Sequence, residues 1–262
     1  CVSIDFSSYD AHVKLHLQKS VRDFIKTLFQ KQEWEFIDDI FTRLNTIGII
    51  TPDGVFMGSH GVPSGSTLTN EVDSDAQYLV ATQVVNPYDV ADINGDDGAY
   101  IVDDPDKLIS NFISHGLEVN TEKSHISDDY FIYLQNYYSK RFTSDGLVRG
   151  VYPIYRAYMR IIFQERWSSF EDYGISGQDY YSIRALTILE NVRYHPLFRQ
   201  LVQFIVRNDK FGLDTSEKGI SNYVRMVSES SGTQGIMLNQ RGDAVDGIRN
   251  FASFKMVKEI MS

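Results

Sequence analysis

Two β-prone runs, "YDVADI" from Tyr88 and "GAYIV" from Gly98, flank Asn94-Gly95-Asp96-Asp97. An Asn-Gly step between such runs signals a tight turn, which joins antiparallel strands. The chain is therefore expected to build an antiparallel sheet with an acidic hairpin tip. The same stretch is densely charged: "DINGDDGAYIVDDPD", Asp92 to Asp106, holds six carboxylates in fifteen residues. Carboxylates this close repel one another unless a cation or solvent intervenes.

A calcium loop is one reading. Asp92, Asn94 and Asp96 fit positions 1, 3 and 5 of a helix-flanked calcium loop, and Asp103 falls at position 12. Position 6 requires a glycine for the sharp turn, but Asp97 stands there and Gly98 comes one residue late. The flanking residues are also β-prone rather than helical. A non-enzymatic calcium module built on Asp92 to Asp103 thus stays an alternative with a misplaced turn residue.

Partners for the tip lie elsewhere. "CVSIDF" at residues 1 to 6 reads as a short strand, and Asp5 stands at its end, followed by Asp10 in "DFSSYD". A carboxylate at a strand end and carboxylates at a hairpin tip of one sheet can face each other. Mg²⁺ takes oxygen ligands and keeps waters and substrate phosphates. Two such ions about 3.5–4 Å apart activate an attacking hydroxyl and stabilise the leaving oxygen. Asp5, Asp96 and Asp97 have the right ligand type.

Helical spacing places a long amphipathic helix at about Tyr9 to Gln30, with Leu17, Val21, Phe24, Ile25 and Leu28 on one face. "IGIITPDGVF" from Ile47 reads as strand and turn. The Gly-Ser loop "GSHGVPSGS" leads into a helix at about Ser66 to Val84, with Leu68, Val72, Leu79 and Val80 apolar. A short helix follows at about Asp106 to Gly116, where Asp103, Asp104 and Asp106 suit its positive N-terminal end. "GLEVN" and "YFIYLQNYY" are strand-like. This order gives an α+β domain with an antiparallel sheet covered by helices. From Phe142 the pattern turns mainly helical, and the boundary is placed near Ser144-Asp145-Gly146, giving domains 1–144 and 145–262. His12 and His16, at i and i+4, lack a third ligand and read as ordinary helix residues.

Charge is unevenly spread over the 262 residues, whose net charge is −10. Residues 1–139 carry 8 Lys/Arg against 22 Asp/Glu, whereas residues 140–210 carry 11 against 7. That asymmetry suits an acidic metal centre beside a phosphate-facing surface, and the overall balance opposes simple electrostatic nucleic-acid binding. Cys1 is the only cysteine, so internal disulfides and a Cys-based zinc site are excluded, and a reducing compartment is expected. No apolar run is long enough to span a membrane. A first residue other than Met suggests a fragment or processed chain.

Taken together, "DFSSYD", "GVPSGSTLTNEVDS", "NGDDGAY", "GLEVNTEKSHIS" and "YFIYLQNYYS" stand in the order of motifs A to E of viral RNA-dependent RNA polymerases. The sequence resembles the palm of that family, and the phrasing "GVPSGS" with "TNEVDS" and "GDDG" looks most like the picobirnavirus and partitivirus group. "YHPLFRQLVQFIV" and "GDAVDGIRNF" resemble picobirnavirus sequences as well. The resemblance implies an antiparallel polymerase palm over residues 1–144, with an RRM-like core and covering helices. It further implies a mainly helical thumb over 145–262, without fingers.

It also implies RNA-templated RNA synthesis by two-metal nucleotidyl transfer. Asp5 and Asp96 would be the main Mg²⁺ ligands with Asp97 supporting, and Mn²⁺ would substitute. Asp10 would help recognise the ribose 2′-OH. Ser64 and Gly65 would form the mobile loop beside template and incoming base, with Thr69, Asn70 and Asp73 on the following helix. Which of Asn70 and Asp73 completes ribose recognition stays open. Lys123 would protonate the pyrophosphate leaving group, and Tyr130 to Tyr138 would support the primer end. The implied partners are template and nascent RNA, nucleoside triphosphates and a viral capsid protein, with no membrane, in the virion interior or host cytoplasm. A reverse transcriptase is the nearer alternative. It would place an aromatic gate where Asp10 stands and carry an aromatic-x-Asp-Asp turn, whereas here Gly95 precedes Asp96.

Overall fold

A computed structural model describes residues 1–86, 91–164, 168–231 and 247–262. These divide into two units: residues 1–134 with 138–140, and residues 135–137 with 141–262. The expected run "YDVADI" lies partly outside the described residues, as do parts of "IYRAYMRIIFQERW" and "GDAVDGIRNF".

The first unit is α+β. Its central sheet has β1 (Val2–Ile4), β4 (Ala91–Asn94), β5 (Asp97–Tyr100) and β6 (His125–Ile126) in the order β4-β5-β1-β6. All its pairings are antiparallel. A separate hairpin joins β2 (Ile49–Thr51) to β3 (Gly54–Phe56). The helices are α1 (Tyr9–His12), α2 (Leu15–Leu28), α3 (Trp34–Thr46), α4 (Thr69–Ala81) and α5 (Pro105–Ser114). Val2, Ile4, Leu17, Val21, Val72, Val80, Tyr100, Leu108 and Phe112 form one buried core. β1 is buried along its whole length because it is an inner strand with helices packed on the sheet. Asp104 caps α5 by accepting from the Lys107 backbone N–H at 3.0 Å, with Pro105 at the first helical position.

The long helix expected from Tyr9 is split at Val13–Lys14. The cause is tertiary. The Asp10 carbonyl, which would accept from Lys14 in a continuous helix, accepts instead from Val62 N–H at 2.8 Å. The freed Val13 carbonyl is satisfied by the buried Gln18 amide at 2.9 Å. Gly61 makes this contact possible. A Cβ there would overlap the Asp10 carbonyl and lie 2.7 Å from Ala11 Cα. The split also separates His12 from His16, whose Nε2 meets the His115 carbonyl at 3.1 Å. Leu28 does not continue the apolar face; it is 66% exposed.

Gly61→Ala is therefore expected to destabilise the chain by about 2 kcal/mol, because the overlapping atoms are backbone and cannot swing away. Thermal unfolding should show a fall of roughly 4–8 °C. Gly177→Ala, with nothing within 4 Å of its Cβ position, is the control. Equal melting temperatures for the two variants would contradict this account.

"YFIYLQNYY" is a hairpin: β7 (Tyr130–Tyr133) and β8 (Asn136–Ser139) flank Leu134 and Gln135, both with positive φ (46° and 62°). The division between the units falls within it. In the first unit, Phe131 stacks on Tyr138 at 4.8 Å, and Ile132 N–H donates to Ser3 Oγ at 2.7 Å, tying β7 to β1.

The second unit opens with a small hairpin, β9 (Thr143–Ser144) and β10 (Leu147–Val148), whose turn is Asp145-Gly146 with φ of 53° and 74°. The Asp-Gly signal near the expected boundary is thus a hairpin turn. The rest is helical: α6 (Ile154–Ile162), α7 (Gly177–Glu190), α8 (Phe198–Asn208), α9 (Glu217–Ser231) and α10 (Ala252–Met261). Tyr152, Ile183, Leu186, Leu189, Val202, Ile248, Phe251 and Val257 form its core. Buried Glu190 accepts from Ser253 N–H at the start of α10 and pairs with Arg193, each at 3.0 Å. A buried carboxylate needs such partners.

Candidate active site

The register of the sheet builds the site. Ile4 of β1 pairs with Gly98 of β5. One further step brings Asp5, just past the end of β1, opposite Asp97, and opposite residues of antiparallel strands share a face. The strands β4 and β5 close at Asn94↔Asp97, so the turn residues are Gly95 and Asp96, not Asn94 and Gly95. Gly95 has φ +64° and Asp96 has negative φ, the pattern of a type II′ turn with glycine at its first central position. Asp96 is exposed at the tip, whereas Asp97 is half-buried at the root of β5.

Asp97 feels both of its acidic neighbours. Burial pushes the Asp97 carboxyl above its ordinary range, and the charges of Asp96 and then Asp5 push it further. Asp5 is held from its other side by the 120–124 segment: Asn120 N–H donates to the Asp5 carbonyl at 2.8 Å, and Asp5 N–H donates to Ser124 Oγ at 3.1 Å. Lys123 lies in that segment. It is exposed, and among the described residues it makes no ion pair with these carboxylates.

A second acidic pair adjoins the first. Asp10 on α1 and Asp73 on α4 interact directly. Burial, then the Asp10 charge and the hydrogen bond to Asp10, and then the Asp96 charge raise the Asp73 carboxyl to about 8. Asp73 is 3% exposed, and its Oδ1 has no hydrogen-bond partner. Tyr9 Oη donates to the Asp73 carbonyl at 3.1 Å. The Gly-Ser loop is rooted beside this pair through the Val62 bond to Asp10. Thr69 Oγ1 donates to the Pro63 carbonyl at 2.9 Å, closing the loop onto α4. Ser64 and Gly65 stand exposed, Gly65 with φ +89°. Asn70 is exposed, and its Oδ1 lies 3.2 Å from where a Gly95 Cβ would be.

Sequence reasoning missed Ser74 and Gln77 of α4. Gly95 N–H donates to Ser74 Oγ at 2.7 Å, and Gln77 Nε2 donates to the Gly95 carbonyl at 3.0 Å. Gln77 is fully buried, and its Oε1 accepts from Tyr100 Oη at 2.6 Å. The available signal was a polar stripe: Asn70, Ser74 and Gln77 recur at i, i+4 and i+7 on one helix face.

The calcium reading does not survive the register. Asp92 pairs with Ala99 inside the β4–β5 ladder, so Asp92 to Asp103 is strand, tight turn and strand rather than a coordinating loop. Among the described residues no three His, Cys, Asp or Glu side chains, Asp5, Asp96 and Asp97 included, are gathered closely enough to hold a metal ion as they stand. The donor set around Asp96 is nonetheless all carboxylate oxygen, mutually repelling and partly open to solvent. That chemistry fits a hard cation that keeps waters and takes further oxygens from a substrate.

No family model matches the chain. A potential RNA-dependent RNA polymerase of a human picobirnavirus is 29% identical to it over 220 residues, covering 80% of this chain and 40% of that protein. The crystal structure of the RNA-dependent RNA polymerase of a human picobirnavirus superposes with a TM-score of 0.77 at 25% identity, over 99% of this chain and 51% of that one. An insertion-loop deletion mutant of a human picobirnavirus polymerase gives a TM-score of 0.77 at 26% identity, over 99% and 49%. The chain spans about half the length of the proteins it matches, or somewhat less. In sequence and in fold alike, the chain is similar to the picobirnavirus RNA-dependent RNA polymerases.

Proposed function

We propose that the chain carries the catalytic palm, in its first unit, and a thumb, in its second, of a polymerase that copies RNA into RNA. The observation that carries this reading is the approach of Asp5, at the end of β1, to Asp96 and Asp97 on the neighbouring hairpin. Those three residues would hold Mg²⁺, with Mn²⁺ able to substitute. When bound, the ions would supply charge stabilisation to the phosphoryl transfer and lower the pKa of the attacking primer hydroxyl.

The remaining roles follow from the residues themselves. Asp10 and Asp73 lie beside the carboxylate cluster and would receive the ribose. Asp73 is favoured over Asn70 because it keeps an unbonded carboxyl oxygen next to Asp10. A 2′-hydroxyl both donates and accepts, so it can satisfy a carboxyl–carboxylate pair that a deoxyribose leaves unmet. Ser64 and Gly65, exposed on a loop tied down at Val62 and Thr69, would pass template and incoming base. Lys123 would bring a proton to the pyrophosphate. Exposed Arg156 and Arg160 on α6 and Arg207 on α8 offer phosphate contacts to RNA. Such an enzyme would work in the virion interior or host cytoplasm, on an RNA template and nucleoside triphosphates, with a capsid protein as a further partner.

The test is extension of a primed RNA template by the longer polymerase that contains this chain. Mg²⁺-dependent incorporation of the complementary ribonucleotide, with deoxynucleotides strongly disfavoured, is expected. Equal use of deoxynucleotides would favour the reverse transcriptase reading, and no incorporation would refute both. The chain alone is expected to extend primers very weakly or not at all. Its first unit is strongly acidic, and a triphosphate brought to these carboxylates needs cationic side chains supplied from elsewhere. Robust extension by the chain alone would overturn that expectation.

A further inference from the structure

We propose that Ser74 and Gln77 are positioning residues that lock the Gly95 backbone and thereby aim the Asp96 carboxylate; this rests on the polymerase reading of the Asp96 site. A two-residue hairpin turn usually leaves its peptide groups to solvent. Here Gly95 is buried, and both of its backbone polar groups are taken by side chains of a single helix. The Gly95 N–H belongs to the peptide plane shared with Asn94. The Gly95 carbonyl belongs to the plane shared with Asp96. Fixing both planes fixes φ and ψ of Gly95, and so fixes the direction in which the chain enters Asp96.

The surroundings are built for this contact. Gly98 allows it from the strand side: a Cβ there would overlap Gln77 Oε1 and lie 2.9 Å from Tyr100 Oη. Tyr100 Oη in turn holds Gln77 Oε1 at 2.6 Å, which orients the amide so that its Nε2 faces Gly95. Ser74 donates its own hydroxyl proton to the Asn70 carbonyl at 2.6 Å, leaving a lone pair for Gly95 N–H. Every polar atom of this relay is satisfied without touching a carboxylate. The arrangement therefore acts on Asp96 through backbone geometry, not through its charge. It matters because the tip carboxylate is exposed and its neighbours repel it; an unrestrained turn would swing Asp96 away from Asp5 and Asp97.

The experiment compares Ser74→Ala, Gln77→Met and Ser74→Thr with the unaltered sequence. In the chain itself, hydrogen exchange is read at the Gly95 amide and Mn²⁺ affinity is read by calorimetry. In the longer polymerase, kcat and KM for addition of one nucleotide are read. Ser74→Ala and Gln77→Met should speed Gly95 exchange about tenfold and weaken Mn²⁺ about tenfold, the size of one lost hydrogen bond. They should lower kcat by a similar factor with nucleotide KM within about twofold, and Ser74→Thr should restore all of these. Where Ser74→Ala does not fold, Gln77→Met alone carries the test, since it removes the donor to Gly95 without adding charge, and the same changes are expected. Faster exchange with unchanged Mn²⁺ affinity would overturn the proposal, since the bonds would then serve stability alone; so would unchanged exchange. If the longer polymerase adds no nucleotide while Mn²⁺ affinity still falls, the polymerase reading fails and the positioning role stands.

Discussion

On the proposed polymerase reading, Asp96→Ala in a polymerase carrying this chain is expected to lower nucleotide addition by on the order of 10³-fold or more, while RNA binding stays within a small factor. A carboxylate that holds a catalytic metal contributes several kcal/mol of charge stabilisation in the transition state, and about 4 kcal/mol corresponds to a thousandfold. Asp96 sits exposed at the hairpin tip, so its removal deletes almost no packing. It also relieves the charge that raises Asp97, so the fold should not suffer. RNA affinity, in contrast, is set by phosphate contacts with basic side chains, and Asp96 supplies none. Primer extension and RNA binding measured on the same preparation separate the two effects. Retained polymerisation would sink the assignment of Asp96. Parallel loss of RNA binding would point to a damaged fold instead.

What could be read from the chain, and what could not, follows the range of the interactions involved. The β4–β5 hairpin was legible because its turn chemistry is local, but its register was off by one. Asn-Gly is the commoner turn pair, yet here Ser74 and Gln77 of α4 take the backbone groups of Gly95 and make Gly95-Asp96 the turn. The α5 start was legible for the same local reason, a capping Asp before Pro105. The break between α1 and α2 was not legible, since nothing at Val13 or Lys14 disfavours helix. Its cause is a hydrogen bond from Val62, fifty residues away. The helix α3 was missed although Ile37, Phe41 and Leu44 repeat at i, i+4 and i+7 and become buried. It begins without a capping side chain, and the Trp34 Nε1 bond to the Lys26 carbonyl and the Lys26–Asp38 ion pair that hold it on α2 are tertiary. The partnership of Asp5 with the hairpin tip needed the sheet register, which local patterning does not encode. The order of the motifs anticipated it through the family resemblance.

Asp73→Asn should flatten the pH dependence of stability and leave the chain more stable at pH 8 by about 2–3 kcal/mol. The sign follows from proton counting. In the unfolded chain Asp73 ionises near the ordinary carboxylate value of about 3.9. In the folded chain burial and the Asp10 charge hold its proton until about 8. Between those values the folded state binds more protons than the unfolded state, so stability falls as pH rises through the window. The stabilising contribution is complete below about pH 4 and lost above about pH 8. Asparagine is close in shape, stays neutral throughout, and can donate its amide proton to Asp10 as the protonated acid does. A shift of this size corresponds at most to about 5–6 kcal/mol. The expected gain is smaller because the proton is shared with Asp10, whose own charge the substitution leaves in place. Urea unfolding of the chain from pH 4 to pH 8, with EDTA present so that no divalent cation competes for the carboxylates, reads the difference directly. The two proteins should be nearly equal in stability at pH 4 and diverge as pH rises. Parallel curves over that range would show that Asp73 is ionised in the folded state and that its burial beside Asp10 is compensated in another way. Because the same carboxyl is assigned to the ribose, Asp73→Asn should also alter the preference for ribonucleotides. A stabler chain that selects its sugar less well is the combined outcome expected of a buried acid kept for binding at the expense of folding.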